Sequence, residues 1–167
     1  MIFVTVGSRN YQFNRLFIKL DELVEKGIIK QEIFAQIGTS TYVPKCFKYK
    51  DFLSKEEFAD YMKQADLVIS HGASGSIMTA LNLDKKVIAV TRLEKYGEHI
   101  NDHQIQNNEA FGENKYVLPV YEMDKLEEAI NSYNNDTMGL IPWENKDPMA
   151  IVNMIDEFIE ESWKVRK

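Results

Sequence analysis

Residues 66–81, Asp-Leu-Val-Ile-Ser-His-Gly-Ala-Ser-Gly-Ser-Ile-Met-Thr-Ala-Leu, constrain the fold of this chain more than any other stretch. The stretch opens with a short apolar run rich in β-branched residues, the pattern of a buried strand. The run stops at a loop of small residues, His71-Gly72-Ala73-Ser74-Gly75-Ser76. Apolar residues then recur at Ile77, Ala80, Leu81 and Leu83, which fits the opening turns of a helix. Strand, small-residue loop and helix together make a phosphate-holding arrangement in α/β proteins. A helix start leaves N–H groups unpaired and carries the positive end of the macrodipole, so it stabilises an anion. Gly72 and Gly75 are expected to admit a ligand close to the backbone, and Ser74 and Ser76 to add hydroxyl donors. The same residues would also suit a capped turn that binds nothing; a second polar patch further along favours the functional reading.

Around this centre, strands and helices alternate. Ile2–Val6 reads as a strand, followed by the loop Gly7-Ser8-Arg9-Asn10-Tyr11-Gln12. Phe13, Leu16, Phe17, Leu20, Leu23 and Val24 space as one helical face ending at Gly27. Glu32–Gly38 reads as a second strand and Cys46–Phe52 as a shorter third. Ser54 and Glu57 form a capping-box signature, and Phe58, Tyr61, Met62 and Ala65 line the helix that it starts. Lys86–Val90 is the next strand, Asp102–Phe111 a helix ending near Gly112, and Tyr116–Tyr121 a final strand. Pro119 places that last strand at a sheet edge. A short helix spans Lys125–Tyr133, and Asp147-Pro148 opens a helix with Ile151, Val152, Ile155, Phe158, Ile159 and Trp163 on one side. The expected fold is a Rossmann-like three-layer α/β domain over residues 1–167, with a mostly parallel sheet of about six strands. Ligands in such sheets sit at the carboxyl ends of the strands, where the loops after Val6, Ile37, Ser70 and Val90 converge.

Composition narrows the function classes. The chain has 167 residues, 44% hydrophobic and 28% charged, with a net charge of −6, acidic and basic residues being interspersed. That balance is ordinary for a soluble globular chain and argues against a nucleic-acid partner, which calls for a basic face. Cys46 is the only cysteine, so no intramolecular disulfide forms, and a small buried hydrophobe is its simplest role. Met62 and Met78 read as core filler. The N-terminal run lacks a basic region and is not expected to be a secretory signal, and no apolar stretch is long enough to span a bilayer.

The loop after Val90 carries His99 and His103; the remaining histidine is His71 in the central loop. Two strand ends therefore bring every imidazole to one edge of the sheet. No HExxH or Cys/His pair accompanies them, so no metal is expected, and acid/base work or hydroxyl and phosphate contacts are the better use. The Gly7 loop is not GxGxxG, no ribose-binding acid follows the Gly72/Gly75 pair at dinucleotide spacing, and no GK[ST] follows Gly75. Neither common nucleotide-binding motif is present.

Ser70-His71-Gly72-Ala73-Ser74-Gly75-Ser76-Ile77, then Lys86–Val90, then Glu98-His99-x-x-Asp102-His103-Gln104 resemble the nucleotide-sugar-binding half of MurG-like GT-B glycosyltransferases, the family 28 C-terminal domain. Met1–Ser8 and Gln36-Ile37-Gly38-x-Ser40-x-Tyr42 fit as well. The resemblance covers nearly the whole chain and is strongest to split members: the catalytic subunit of the eukaryotic lipid-linked UDP-GlcNAc transferase, and bacterial capsule or exopolysaccharide subunits. It implies that Gly72, Ala73, Ser74, Gly75 and Ser76 take the diphosphate of a UDP-sugar donor, with Gly7, Ser8 and Arg9 across the cleft. It implies a substrate-facing place for Gln36 and Gly38, uracil packing around Phe52 and Leu53, and sugar contacts from Asp102 and Gln104, with Glu98 and His99 lining the same pocket. The family's ribose-gripping glutamate is replaced here by Thr79, a neutral and weaker grip. Such enzymes use no bound metal or other cofactor for chemistry, in keeping with the lack of a DxD-like cluster.

The resemblance further implies an inverting transfer from the UDP-sugar to a lipid-linked saccharide acceptor. Candidate catalytic residues are His71, Glu98 and His99, with a carboxylate from a partner as the alternative base. One half of a GT-B fold lacks an acceptor domain, so a membrane-associated, acceptor-binding subunit is expected to hold this chain at the cytoplasmic face of the membrane. The helix over 147–167 either docks that partner or packs on its own sheet. The contrasting reading is a non-catalytic, nucleotide-sugar-binding regulatory subunit.

Overall fold

The computed structural model describes residues 1–100 and 103–144, the side chain of His103 excepted. Asp102 and the helix expected over 147–167 lie outside the described residues. Six strands form one sheet: β1 Ile2–Thr5, β2 Ile33–Gln36, β3 Lys48–Lys50, β4 Leu67–Ser70, β5 Lys86–Val90 and β6 Leu118–Val120. Their order is β3-β2-β1-β4-β5-β6, and every neighbouring pair is parallel. Among the described residues, five α-helices cover the faces: α1 Asn14–Glu25, α2 Lys55–Gln64, α3 Ser74–Leu81, α4 His103–Glu113 and α5 Leu126–Asn134. The sheet reverses direction of growth between β1 and β4, and a crevice opens there beyond the strand ends.

Alternate side chains of each central strand enter different cores, which is why these strands read as continuous apolar runs. Ile2, Val4, Ile33, Ala35, Leu67, Ile69, Ile88 and Val90 pack with Phe13, Leu16, Phe17, Leu20 and Leu23 and with Leu126, Ala129 and Ile130. Phe3, Phe34, Val68, Val87 and Ala89 face Met62, Ile77, Ala80 and Phe111 on the other side. Tyr61 stacks on Phe34 at 3.8 Å between ring centroids and on Phe3 at 5.8 Å, while Phe58 meets Phe3 edge-on at 5.5 Å. The edges are protected as the residues dictate. β3 is an exposed Lys-Tyr-Lys strand, and β6 carries Pro119, so neither offers a long apolar ladder.

The Ser54 cap is present in full: its hydroxyl accepts from the Glu57 N–H at 3.1 Å, and the Glu57 carboxylate accepts from the Ser54 N–H at 3.0 Å. Helix α4 ends at Glu113, beside Gly112 as the sequence reading expects, and a Cβ at Gly112 would stand 2.8 Å from the Pro119 ring. The glycine serves close approach of helix and edge strand. Among the described residues, no helix is long and apolar enough to cross a membrane.

Candidate functional site

The crevice at the sheet reversal is a cleft of about 560 Å³. The loop after β1 supplies Gly7, Ser8 and Arg9; the loop after β4 and the start of α3 supply His71, Ala73, Ser74, Gly75, Ser76 and Thr79. His99, Ile100 and Gln104 close it from the β5–α4 side, with Phe58 and Asn107 completing the wall. Among the described residues no aspartate or glutamate lines it, and Arg9 does.

The helix start is built to be open. Ala73 occupies the N-cap position of α3 and no side chain caps that end, so the first-turn N–H groups and the dipole are left for a ligand. The two glycines of the loop have different reasons. Gly72 has φ +84°, and a Cβ there would lie 2.6 Å from Asn108 Nδ2. Asn108 is buried and donates to Thr91 Oγ1 at 2.6 Å, tying α4 to the end of β5. Gly72 therefore keeps the backbone turn and leaves room for that asparagine. Gly75 has ordinary helical geometry, and a Cβ there would meet nothing within 4 Å. Its missing side chain leaves space in the cleft. Gly72→Ala is accordingly expected to cost about 1–3 kcal/mol, the usual toll of a non-glycine residue in a strained conformation, read from urea denaturation.

His71 is 5% exposed, and its Nδ1 lies 3.2 Å from the Thr5 carbonyl. A carbonyl only accepts, so Nδ1 carries the proton and Nε2 keeps its lone pair. Nε2 and Cε1 pack against Gly7, where a Cβ would lie 2.9 and 2.8 Å away, and Gly7 has φ +71°. Burial, reinforced by the charge of Arg92 and to a smaller degree by His99 and Arg9, pushes the imidazole down to about 3, against the opposing effect of the Thr5 bond. Arg92 is itself 1% exposed; it donates from Nη2 to the Tyr11 carbonyl at 2.9 Å, and its Nε and Nη1 have no hydrogen-bond partner among the described residues. Burial lowers it to about 10, Glu98 opposing. Arg92 thus places a buried guanidinium charge near His71, whose own imidazole is neutral at neutral pH.

Gly7, Ser8, Arg9, His71, Ala73, Ser74, Gly75, Ser76, Thr79, His99 and Gln104 come together on the cleft wall. Others take different places. Gln36 is 6% exposed; it donates to the Gly7 carbonyl at 3.0 Å and accepts from the Leu53 N–H at 3.3 Å. It braces two loops from behind. Gly38 donates to the Asp51 carbonyl at 2.8 Å, and its φ of +59° and its closeness to the Gly7 carbonyl explain the glycine. Phe52 is half exposed outside the wall, Leu53 packs on the core beside α2, and Phe58 is the aromatic residue that reaches the cleft. Thr79 donates to the Gly75 carbonyl at 2.8 Å, so its hydroxyl proton is engaged by its own helix. Glu98 is 1% exposed and bound by Arg15 at 2.6 and 2.9 Å. Asn107, Asn108 and Arg15 escaped the sequence reading, which gave Phe58 only a place along its helix. The pair Gln104/Asn108, one turn apart on α4, was the available signal for Asn108.

A profile of the glycosyltransferase family 28 C-terminal domain matches residues 1–155. The chain is 30% identical over 111 residues, 62% of its length, to the UDP-N-acetylglucosamine transferase subunit ALG13 of Mus musculus. The matching part is 9% of that mouse protein and 10% of the ALG13 of Homo sapiens, so the chain spans a small fraction of both. In fold it is similar to the solution structure of an ALG13, with TM-score 0.56, 20% identity and coverage of 87% of this chain and 90% of that one. It is similar also to MurG of Acinetobacter baumannii, with TM-score 0.53 and 14% identity, over 81% of this chain and 41% of that one. The six-stranded parallel sheet, the cleft at its reversal and the match over residues 1–155 lead to one conclusion: this chain belongs to the glycosyltransferase family 28 C-terminal domain family.

Proposed function

We propose that the chain is the donor-binding, catalytic subunit of a two-component inverting glycosyltransferase that moves a sugar from a UDP-sugar to a lipid-linked saccharide. The observation that carries this reading is the uncapped start of α3, opening into a cleft whose described walls hold a cation and no carboxylate. The diphosphate belongs at Ser74–Ser76, with Arg9 and the Gly7 loop across from it. The sugar points toward His99 and Gln104, whose Oε1 is buried without a hydrogen-bond partner among the described residues. The family resemblance adds a sugar contact from Asp102, which lies outside the described residues. Family membership and the likeness to an ALG13 subunit support the division of labour: one half of a GT-B enzyme here, an acceptor-binding, membrane-associated subunit elsewhere. Assembly of capsule or exopolysaccharide at the cytoplasmic face of the membrane is the setting we propose.

In this reading the acceptor oxygen attacks the anomeric carbon as the bond from that carbon to the diphosphate oxygen breaks. The acceptor proton passes to a base, and the charge developing on UDP falls on the α3 N–H groups. His71 binds protons too weakly to be well matched to that step near neutral pH. Its Nε2 is better suited to accepting a hydrogen bond. Glu98 is held by Arg15, so the proton goes to His99 or to a carboxylate of the partner.

Thermal-shift titration with UDP, UDP-sugars, ADP and NAD, with and without EDTA, tests the proposal. A saturating ligand at a hundredfold excess over Kd adds about 2.7 kcal/mol to the native state. A uridine-selective, EDTA-insensitive shift is expected. No response to uridine nucleotides, or a preference for NAD, in the presence of the partner subunit would overturn it. Binding without transfer in that complex would favour a regulatory subunit.

A further inference from the structure

Two of the loops that wall the cleft, those after β1 and β5, are stitched together from outside it. Arg15, in the first turn of α1, grips Glu98 through both oxygens, Nε to Oε1 at 2.6 Å and Nη2 to Oε2 at 2.9 Å. The same Nη2 donates to the Thr91 carbonyl at 2.7 Å, and Glu98 Oε2 also accepts the Leu93 N–H at 3.0 Å. One guanidinium therefore ties the beginning and, through Glu98, the middle and end of the 91–98 segment. Further along the seam, Gln12 Nε2 donates to the Tyr96 carbonyl at 2.9 Å, Arg92 reaches the Tyr11 carbonyl, and the Tyr11 and His99 rings lie 5.1 Å apart. Neither Arg15 nor Glu98 is on the cleft wall, yet His99 and Ile100, the two residues after Glu98, are.

We infer that Arg15 and Glu98 form a positioning pair that fixes His99 and Ile100 against the Gly7–Arg9 loop, and with them the place of the donor sugar. The geometry favours positioning over bulk stabilisation. A bidentate guanidinium–carboxylate fork is directional. Net stability, by contrast, is often as well served by an apolar pair of the same volume. Consecutive Cα atoms are about 3.8 Å apart, so a shift of Glu98 is carried directly into His99. The diphosphate place at α3 belongs to other elements. Loss of the fork should therefore be felt at the sugar more than at UDP. This part of the inference rests on the donor-cleft reading.

The test uses the purified chain and its Arg15→Met, Arg15→Lys, Glu98→Gln and Arg15→Met/Glu98→Gln variants. Hydrogen exchange followed by mass spectrometry is expected to quicken about tenfold in peptides spanning 91–100, a change of about 1.4 kcal/mol in local opening, with β1 and β4 unaffected. Arg15→Lys, which keeps the charge and loses the fork, should fall between wild type and Arg15→Met, and the double variant should be no worse than the worse single. Titration with UDP, UDP-GlcNAc and UDP-glucose should show the UDP-sugar to UDP affinity ratio falling about tenfold for the better-bound sugar nucleotide. Uniform quickening of exchange across the domain, or an unchanged ratio in variants that bind UDP, would overturn the inference. If the wild type binds no uridine nucleotide even with its partner, the proposed function falls, and the exchange pattern alone decides whether the fork holds the loop.

Discussion

Replacing Gly75 with aspartate is expected to make the chain more stable and to lower its affinity for UDP about 100-fold or more. The two effects share one cause. Gly75 lies in the first turn of α3 with ordinary helical geometry and open space where a Cβ would stand, so a side chain meets no steric penalty. Removing a helical glycine relieves part of a cost of about 0.5–1 kcal/mol. A carboxylate beside the uncapped N–H groups adds about 0.3–1 kcal/mol through the dipole. The same carboxylate occupies the place proposed for the diphosphate. Like charges about 4 Å apart repel by roughly 4 kcal/mol at the effective dielectric of a protein surface, ample for a 100-fold loss. Urea denaturation and calorimetric titration with UDP read the two quantities separately. Gly75→Ala should share the gain in stability and lose less affinity. A stabilised aspartate variant that binds UDP normally would place the anion elsewhere.

The contrast with Gly72 shows which parts of the loop belong to the fold and which to the ligand. Gly72 turns with positive φ against Asn108, and Gly7 does the same against His71. A side chain at either should damage the fold before it reaches a ligand, whereas Gly75 separates the two.

Much of this was legible in the sequence because the period-two burial of a two-sided sheet leaves uninterrupted runs such as Leu67–Ile69 and Val87–Val90, and because a strand, small residues and a helical repeat in direct succession admit few geometries. Pro119 marked an edge strand for a reason of bonding alone. The cleft was legible as far as it is made of backbone and loop positions, since strand ends of a parallel sheet must share one side. What did not follow was the fate of long polar side chains. Glu98 stands in a motif beside His99 and Asp102, yet whether it faces ligand or protein depends on Arg15, which is 83 residues away in the chain. Gln36 likewise spends both ends of its amide on Gly7 and Leu53. Local spacing carries no information on such distant partners. The closeness of Gly112 to Pro119 was hidden for the same reason, because Pro119 comes from the next strand.

His71 should make the fold sensitive to mild acid, in a direction opposite to that of a histidine in an ion pair. Its imidazole is pushed down to about 3 in the folded chain by burial first and the Arg92 charge second, against an ordinary value of about 6.5 when unfolded. Between those values the unfolded state binds the extra proton, so stability rises with pH across the window. The contribution is whole above about pH 6.5 and is lost as pH falls toward 3. At about 1.4 kcal/mol per unit, descending from pH 7 to 5 costs the wild type roughly 2 kcal/mol. His71→Asn keeps a donor near the Thr5 carbonyl without a titrating group, so carboxylates and the other histidines act alike in both chains. The difference between the two chains in denaturation free energy should therefore shift by about 2 kcal/mol over that interval, the wild type losing more. Parallel curves would mean that the imidazole is not held neutral by its surroundings. Saturating UDP should flatten the wild-type curve, because a diphosphate beside His71 and Arg92 supplies the negative charge that makes the imidazolium tolerable. Stability measured against pH, with and without UDP, thus reports whether the buried Arg92 charge and the proposed anion act on the same histidine.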